Sequence, residues 1–227
     1  RSLRVRIISS LGFAAIANPN VIGQTGSSKM DYSYAAFANA LAANSNTSAL
    51  DTQALAHLPT LANGGIAVAH NAGDNGVYGV SPDTYVYDTD GSLNNRVLYA
   101  NTSVIKALGG STSAALDGNV TFSSNFAFDF DPTDGITAGK MDFIGVAIHE
   151  IGHALGFVSG VDYYDYFAAN PLDYDYNFNT TSLYSTLDMF RYSMDPRNLV
   201  AGNGPILDLS ANTASYFSID GGVTQLF

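Results

Sequence analysis

The chain has 227 residues, 46% of them hydrophobic, which is enough for a substantial buried core. Twenty acids against 9 Lys and Arg give a formal charge of -11, which disfavours a phosphate-tracking surface and argues against nucleic acid as a partner. Cysteine is absent, so a disulfide framework and a thiolate metal site are both excluded. Any transition-metal site must therefore be built from His and carboxylate.

In chain order, Leu3 to Ile8 alternates as a half-buried strand does. Tyr34, Phe37, Ala38 and Leu41 recur at helical spacing and predict an amphipathic helix from Ser28 to about Ala43. A second, shorter helix is expected between a capping box of Ser48 and Asp51 and a stop at Pro59. Strands are expected at Ile66 to His70, Thr84 to Tyr87, Arg96 to Tyr99, Asn119 to Ser123 and Asn125 to Asp131, with Phe126, Phe128 and Phe130 on one face of the last. Asn101 or Thr102 can cap a short helix through Ile105 and Leu108, ending at Gly109-Gly110. At the C-terminal end, Tyr216 to Ile219, Asp220-Gly221-Gly222 and Val223 to Phe227 read as a hairpin.

No linker or repeat divides the chain, so a single domain over residues 1–227 is expected, of α+β class. No run approaches eighteen apolar residues, and no membrane span is expected. Arg1 is not an initiator Met and both ends carry strand patterns, so the chain is expected to be a processed product or fragment lacking N- and C-terminal parts.

The most informative stretch is His149-Glu150-Ile151-Gly152-His153-Ala154-Leu155-Gly156-Phe157. A helix from Asp142, its N-cap, to Leu155 is expected to stop at Gly156 and to bury Phe143, Ile144, Val146, Ala147 and Ile151. On that helix His149 and His153 lie one turn apart on one face, the spacing with which two imidazoles bind one zinc ion. Glu150 suits a general base. Burying these three groups among Ile, Ala, Val and Leu costs on the order of several kcal/mol unless they are paired or metal-bound. His57 and His70 have no ligand spacing and are expected to be surface or hydrogen-bonded structural side chains.

The stretch resembles the signature of metzincin zinc peptidases, HExxHxxGxx followed by His or Asp, and matches it through Gly156. It departs at Ser159, where the third ligand would stand, and no His follows His153. Serine is a poor zinc ligand beside imidazole or carboxylate. Two replacements stay open: Asp162, if Gly160 lets the chain turn back, and a His beyond Phe227. The second is the arrangement of leishmanolysin and its bacterial relatives, which share the HALGF continuation and take the third His after a long insertion.

Phe128 to Pro132, Phe157 to Asp162, Phe190 to Ser193 and Phe217 to Gly222 are also similar to a family of secreted bacterial proteins predicted to be metalloproteases, over most of the chain. These resemblances imply a zincin fold, a twisted mixed sheet packed on a long active-site helix, with an aromatic-rich insertion over residues 158–190. They imply a secreted zinc endopeptidase with His149 and His153 as ligands, Glu150 as base, and a peptide or protein substrate extended along a sheet edge. Tyr192-Ser193-Met194-Asp195-Pro196 resembles the Met-turn beneath a metzincin zinc site, with a plain loop as the alternative.

Asp129, Asp131 and Asp134 with Gly135 form an acidic cluster where matrix metalloproteinases carry a calcium loop. The pattern is not an EF-hand, and calcium and a solvated turn are both open; the same applies to Asp88-Thr89-Asp90-Gly91. Tyr163, Tyr164, Tyr166, Phe167, Tyr174, Tyr176, Phe178 and Tyr184 either flank a cleft or pack locally with their hydroxyls wet. Low Lys with abundant Gly, Ala, Asn, Ser and Thr suits an extracellular protein. The same texture suits a rival reading, a bacterial surface or matrix protein that retains a zincin fold and works by adhesion.

Overall fold

The structure is a computed structural model that describes residues 6–44, 48–60, 64–73, 80–163, 166, 178–195, 199–202 and 204–226. Strands β1 (Ser9–Ala14), β2 (Gly23–Ser27) and β3 (Lys29–Ser33) precede helices α1 (Tyr34–Asn44) and α2 (Ala49–Ala56). Next come β4 (Val68–Gly73), β5 (Val80–Asp88), α3 (Leu93–Arg96), β6 (Val97–Asn101), α4 (Thr102–Ala107), β7 (Gly118–Ser123), β8 (Phe128–Asp129) and β9 (Met141–Asp142). Helix α5 (Phe143–Ala154) follows, then β10 (Arg191–Met194), β11 (Pro205–Leu207) and β12 (Tyr216–Phe217). The class is α+β, with several small sheets in place of one large one. Among the described residues no helix is long and apolar enough to cross a membrane.

Contacts divide the chain into two compact units, the first made of Arg1–Met30 and Asn101–Val158. Its three-stranded sheet has the order β1-β7-β2, with β1 parallel and β2 antiparallel to the central β7. Val120 and Phe122 of β7, Phe128 and Ala154 form the buried core, against which Ile22, Phe126, Met141, Phe143, Val146 and Ala147 pack. Each fully buried side chain of this size contributes about 1.5–3 kcal/mol. The ring of Phe143 also meets those of Phe13, Phe122, Phe128 and Phe130, which ties α5 to β1, β7 and β8.

Two strand expectations shift here. Of Leu3 to Ile8, residues 3–5 lie outside the described residues and 6–8 are irregular; the strand starts at Ser9, where pairing with Gly118 begins. Buried Asp117 explains the boundary, because its carboxylate accepts from the Ile8 amide (2.8 Å) and its own amide donates back to the Ile8 carbonyl (2.6 Å). The stretch from Asn125 to Asp131 is strand only at Phe128–Asp129, since Ser124 and Asn125 are taken up in a turn after β7.

The second unit comprises Asp31–Ala100 and Ser159–Phe227. Helix α1 begins at Tyr34 and not at Ser28, because the preceding residues are committed to strand β3, and the Ser33 hydroxyl accepts from the Ala36 amide at the helix start. Helix α2 forms as expected: the Ser48 hydroxyl accepts from the Asp51 amide at 3.0 Å. β4 and β5 make an antiparallel pair, and β10 lies between β11 and β12. The C-terminal hairpin is reduced to β12 pairing with β10, with Gly221 and Gly222 in a turn and Val223 and Thr224 in a bend after it, where Asp220 accepts from the Thr224 amide. Tyr34, Ile66, Leu98, Tyr184, Met189 and Leu209 are its largest fully buried side chains.

Candidate metal centre

Helix α5 starts as its sequence requires: the Asp142 carboxylate accepts from the Ile144 amide at 2.9 Å, satisfying one free donor of the first turn. The buried stripe then runs Phe143, Val146 and Ala147, Glu150, Ala154, at helical spacing. Ile144 and Ile151, expected inside, are exposed, and Ile148 is 68% exposed. The helix is thus turned so that Glu150, only 5% exposed, faces the sheet.

The sheet face that receives it is made of small residues. Gly23, Thr25 and Ser27 alternate along β2 on its half-buried side. A Cβ at Gly23 would stand 2.8 Å from Glu150 Oε1 and 2.9 Å from Cγ, so glycine is what lets this side chain lie against the strand. Thr25 Oγ1 lies 2.7 Å from Glu150 Oε2 and 2.9 Å from the Glu150 carbonyl, within donating distance of both.

The last turn is held by the same strand and by the start of α4. Ser27 Oγ and Asn101 Nδ2 both donate to the His153 carbonyl, at 2.9 and 3.0 Å, and Ser103 Oγ donates to the Ala154 carbonyl at 2.7 Å. Leu155 N donates to Ile151 O and Phe157 N to Gly152 O, so each carbonyl of the last turn has a donor. Asn101 therefore uses its side chain on α5 and not to cap its own helix. Gly23, Thr25 and Ser27 were missed in sequence because a Gly-x-Thr-x-Ser alternation lacks the branched and aromatic residues that mark a strand.

On the adjacent face of α5 the two imidazoles converge, with His149 Nε2 3.0 Å from His153 Nε2 and the rings nearly perpendicular at 82°. His153 Nδ1 is 2.8 Å from the Phe157 carbonyl. A carbonyl only accepts, so Nδ1 carries the proton and Nε2 of neutral His153 keeps its lone pair. Gly156, at φ +105, makes this return possible, and a Cβ there would also come within 2.3 Å of Val104 Cγ2. Ile148, His149, Gly152, His153, Leu155, Gly156 and Phe157 line an open cavity of about 700 Å³, which is mostly apolar around the two imidazoles.

Two imidazoles on a tetrahedral zinc, each about 2.0–2.1 Å from the metal, stand roughly 3.3–3.4 Å apart. The observed separation and the backbone acceptor on His153 Nδ1 fit two ligands of such a site. Among the described residues no group of three or more His, Cys, Asp and Glu is placed to hold a metal ion. Ser159 instead donates to Asp188 Oδ1 at 2.6 Å, while Asp162 is exposed in the second unit. Burial pushes the Asp188 carboxyl up, although Ser159, the Gly160 amide and Ser185 all donate to it.

Met194 ends strand β10 opposite Pro205 and is 55% exposed, and Asp195 beyond it accepts from the Leu199 and Val200 amides. Met194 itself is thus strand, where the sequence left a Met-turn and a plain loop open.

In the acidic cluster, Asp129 accepts from the Asp131 amide and from both the amide and hydroxyl of Thr137, and these bonds, Thr137 first, hold its carboxyl at about 2. Asp131 is spent on Thr133, and Asp134 is exposed. Asp88 accepts from Asn94 and the Asp90 amide, and pairs with buried His70 at 3.4 Å. His57 is exposed with Nδ1 on the Gln53 carbonyl, so both outlying histidines are hydrogen-bonded structural groups, as expected. Of the aromatic residues after α5, Tyr184 is buried, Tyr163 half-buried and Tyr166 exposed; Tyr164, Phe167, Tyr174 and Tyr176 lie outside the described residues, as do positions 164–165 and 167–177 of the 158–190 insertion altogether.

Comparison with protein-family profiles, curated proteins and solved structures finds no match to this chain.

Proposed function

We propose that this chain is the catalytic part of a secreted zinc-dependent endopeptidase of zincin type. The observation that carries the reading is the convergence of His149 and His153 at 3.0 Å, with the tautomer of His153 set by the Phe157 carbonyl, on a helix whose next face holds Glu150. His149 and His153 would hold the metal, with the third ligand coming from the chain outside the described residues or from the substrate or solvent. Zinc bound there supplies Lewis acidity toward a water molecule and a peptide carbonyl.

Glu150 takes the proton of the attacking water and passes it to the leaving amine nitrogen. Strand β2 pairs only with β7 among the described residues, and its outer edge can accept an extended peptide as a further strand. The apolar walls given by Ile148, Leu155 and Phe157 suit an apolar substrate side chain beside the imidazoles.

The test is metal content of the purified protein together with casein cleavage by wild type and Glu150→Ala. About one zinc per chain with cleavage lost in the variant is expected. Bound zinc with no Glu150-dependent cleavage overturns the peptidase and leaves the surface or matrix protein with a retained zincin fold.

A further inference from the structure

Glu150 is the sole glutamate in the sequence, beside nineteen aspartates, and it is held from a neighbouring strand by a residue that no motif includes. We propose that Thr25 is the positioning residue of Glu150: its hydroxyl occupies Oε2 and thereby makes Oε1 the oxygen that acts as base. The inference rests on the reading of Glu150 as the general base.

Three features of the geometry converge on it. Thr25 Oγ1 is 2.7 Å from Oε2 and 2.9 Å from the backbone carbonyl of the same residue, so one hydroxyl ties the end of the side chain to its own root. Oε1 accepts no hydrogen bond among the described residues. Gly23, two residues before Thr25 on the same strand face, lacks the Cβ that would stand 2.8 Å from Oε1, and so lets the carboxylate lie against the strand within reach of Thr25.

The carboxylate is therefore restrained in rotation by a hydrogen bond at one oxygen, while the other oxygen carries none among the described residues. A base acts well only when its reacting atom is held in place, since a displacement of about 1 Å can cost on the order of 100-fold in rate. Ser27 continues the same face but reaches only the His153 carbonyl, so the side-chain contact belongs to Thr25 alone.

The experiment uses the zinc-loaded chain with Thr25→Val, which keeps the shape of the side chain, and Thr25→Ser, which keeps the hydroxyl; Thr25→Ala serves if the valine variant does not fold. Peptide hydrolysis, zinc affinity and urea stability are measured on each. Glutamate labelled with carbon-13 at Cδ gives one carboxyl resonance, which reads the Glu150 environment with or without metal. Thr25→Val is expected to lower kcat about 10- to 100-fold, to leave KM and zinc affinity within about twofold, and to move the Cδ resonance. Thr25→Ser is expected to restore both.

Unchanged kcat, an unmoved resonance, or a parallel loss of zinc affinity overturns the positioning role. Failure of the peptidase reading is seen separately, as a wild type without Glu150-dependent hydrolysis. In that case a shifted resonance makes Thr25 a fold contact, and the positioning role falls with the reading.

Discussion

Gly152 and Gly156 lie four residues apart in the same motif, and replacing each with alanine should act in opposite directions. At Gly156 the backbone has φ +105, where an L side chain costs about 1–3 kcal/mol. The added Cβ would also come 2.3 Å from Val104 Cγ2, and overpacking of this kind costs about 1–3 kcal/mol more. Relief of one strain shares in relief of the other, so roughly 3 kcal/mol is expected for Gly156→Ala, against a total stability of about 5–15 kcal/mol for a typical domain.

At Gly152 the backbone is helical and a Cβ would meet only Phe157 Cβ at 3.8 Å, an ordinary contact. Gly152→Ala should therefore stabilise by up to about 1 kcal/mol through helix propensity. The assay is urea unfolding in the presence of EDTA, followed by zinc competition against a chelator. With His153 as the proposed zinc ligand, Gly156→Ala moves the Phe157 carbonyl away from its Nδ1 and should weaken zinc binding about 10- to 100-fold, the usual effect of losing an outer partner of a ligating histidine. Equal urea midpoints for the two variants would refute the argument, as would Gly156→Ala with undiminished zinc affinity.

Asp142→Ala removes the cap at the start of the motif helix and should cost about 1 kcal/mol in urea unfolding; a change below about 0.3 kcal/mol would contradict the assignment of the cap. Ser159→Ala takes one donor from buried Asp188 and should destabilise by about 1–3 kcal/mol, because the carboxylate keeps its desolvation cost with one hydrogen bond fewer. Asp129 is held at about 2, below the ordinary aspartate value of 3.8, so its contribution is full above that ordinary value and is lost as pH falls from about 4 to about 2. Thr137→Val should raise the Asp129 midpoint toward 3.8, read from its carboxyl carbon in an NMR titration, and an unmoved midpoint would discount the hydroxyl bond.

What was legible in the sequence is local chemistry. Ser48 before α2, Asp142 before α5 and Gly156 after it act within a turn of their own positions, and each is found where a cap or a stop was expected. The phase of α5 is a different matter. The helix carries two stripes at helical spacing: Ile144, Ile148, Ile151 and Leu155, and one position behind them Phe143, Ala147, Glu150 and Ala154. Hydropathy favours burying the first, yet it is the second that faces the sheet, with Glu150 and Ala154 buried and Phe143 and Ala147 partly so. Its small alanines let the helix approach a sheet whose facing strand is Gly23, Thr25 and Ser27, and the hydroxyls of that strand supply the donors that a buried carboxylate and a helix end require.

That complement is nonlocal: Thr25 and Glu150 are 125 positions apart, so no window along the chain contains both. The orientation of α5 and the accommodation of its one glutamate are thus a single packing decision. Once Glu150 is turned onto β2, His149 and His153 are placed at the rim of the buried face, and Ile148 and Leu155 of the isoleucine stripe line the cavity beside them. Burying the more apolar stripe would instead move Glu150 off β2 and away from Thr25, at the cost of its hydrogen bond and of the close approach that Gly23 permits.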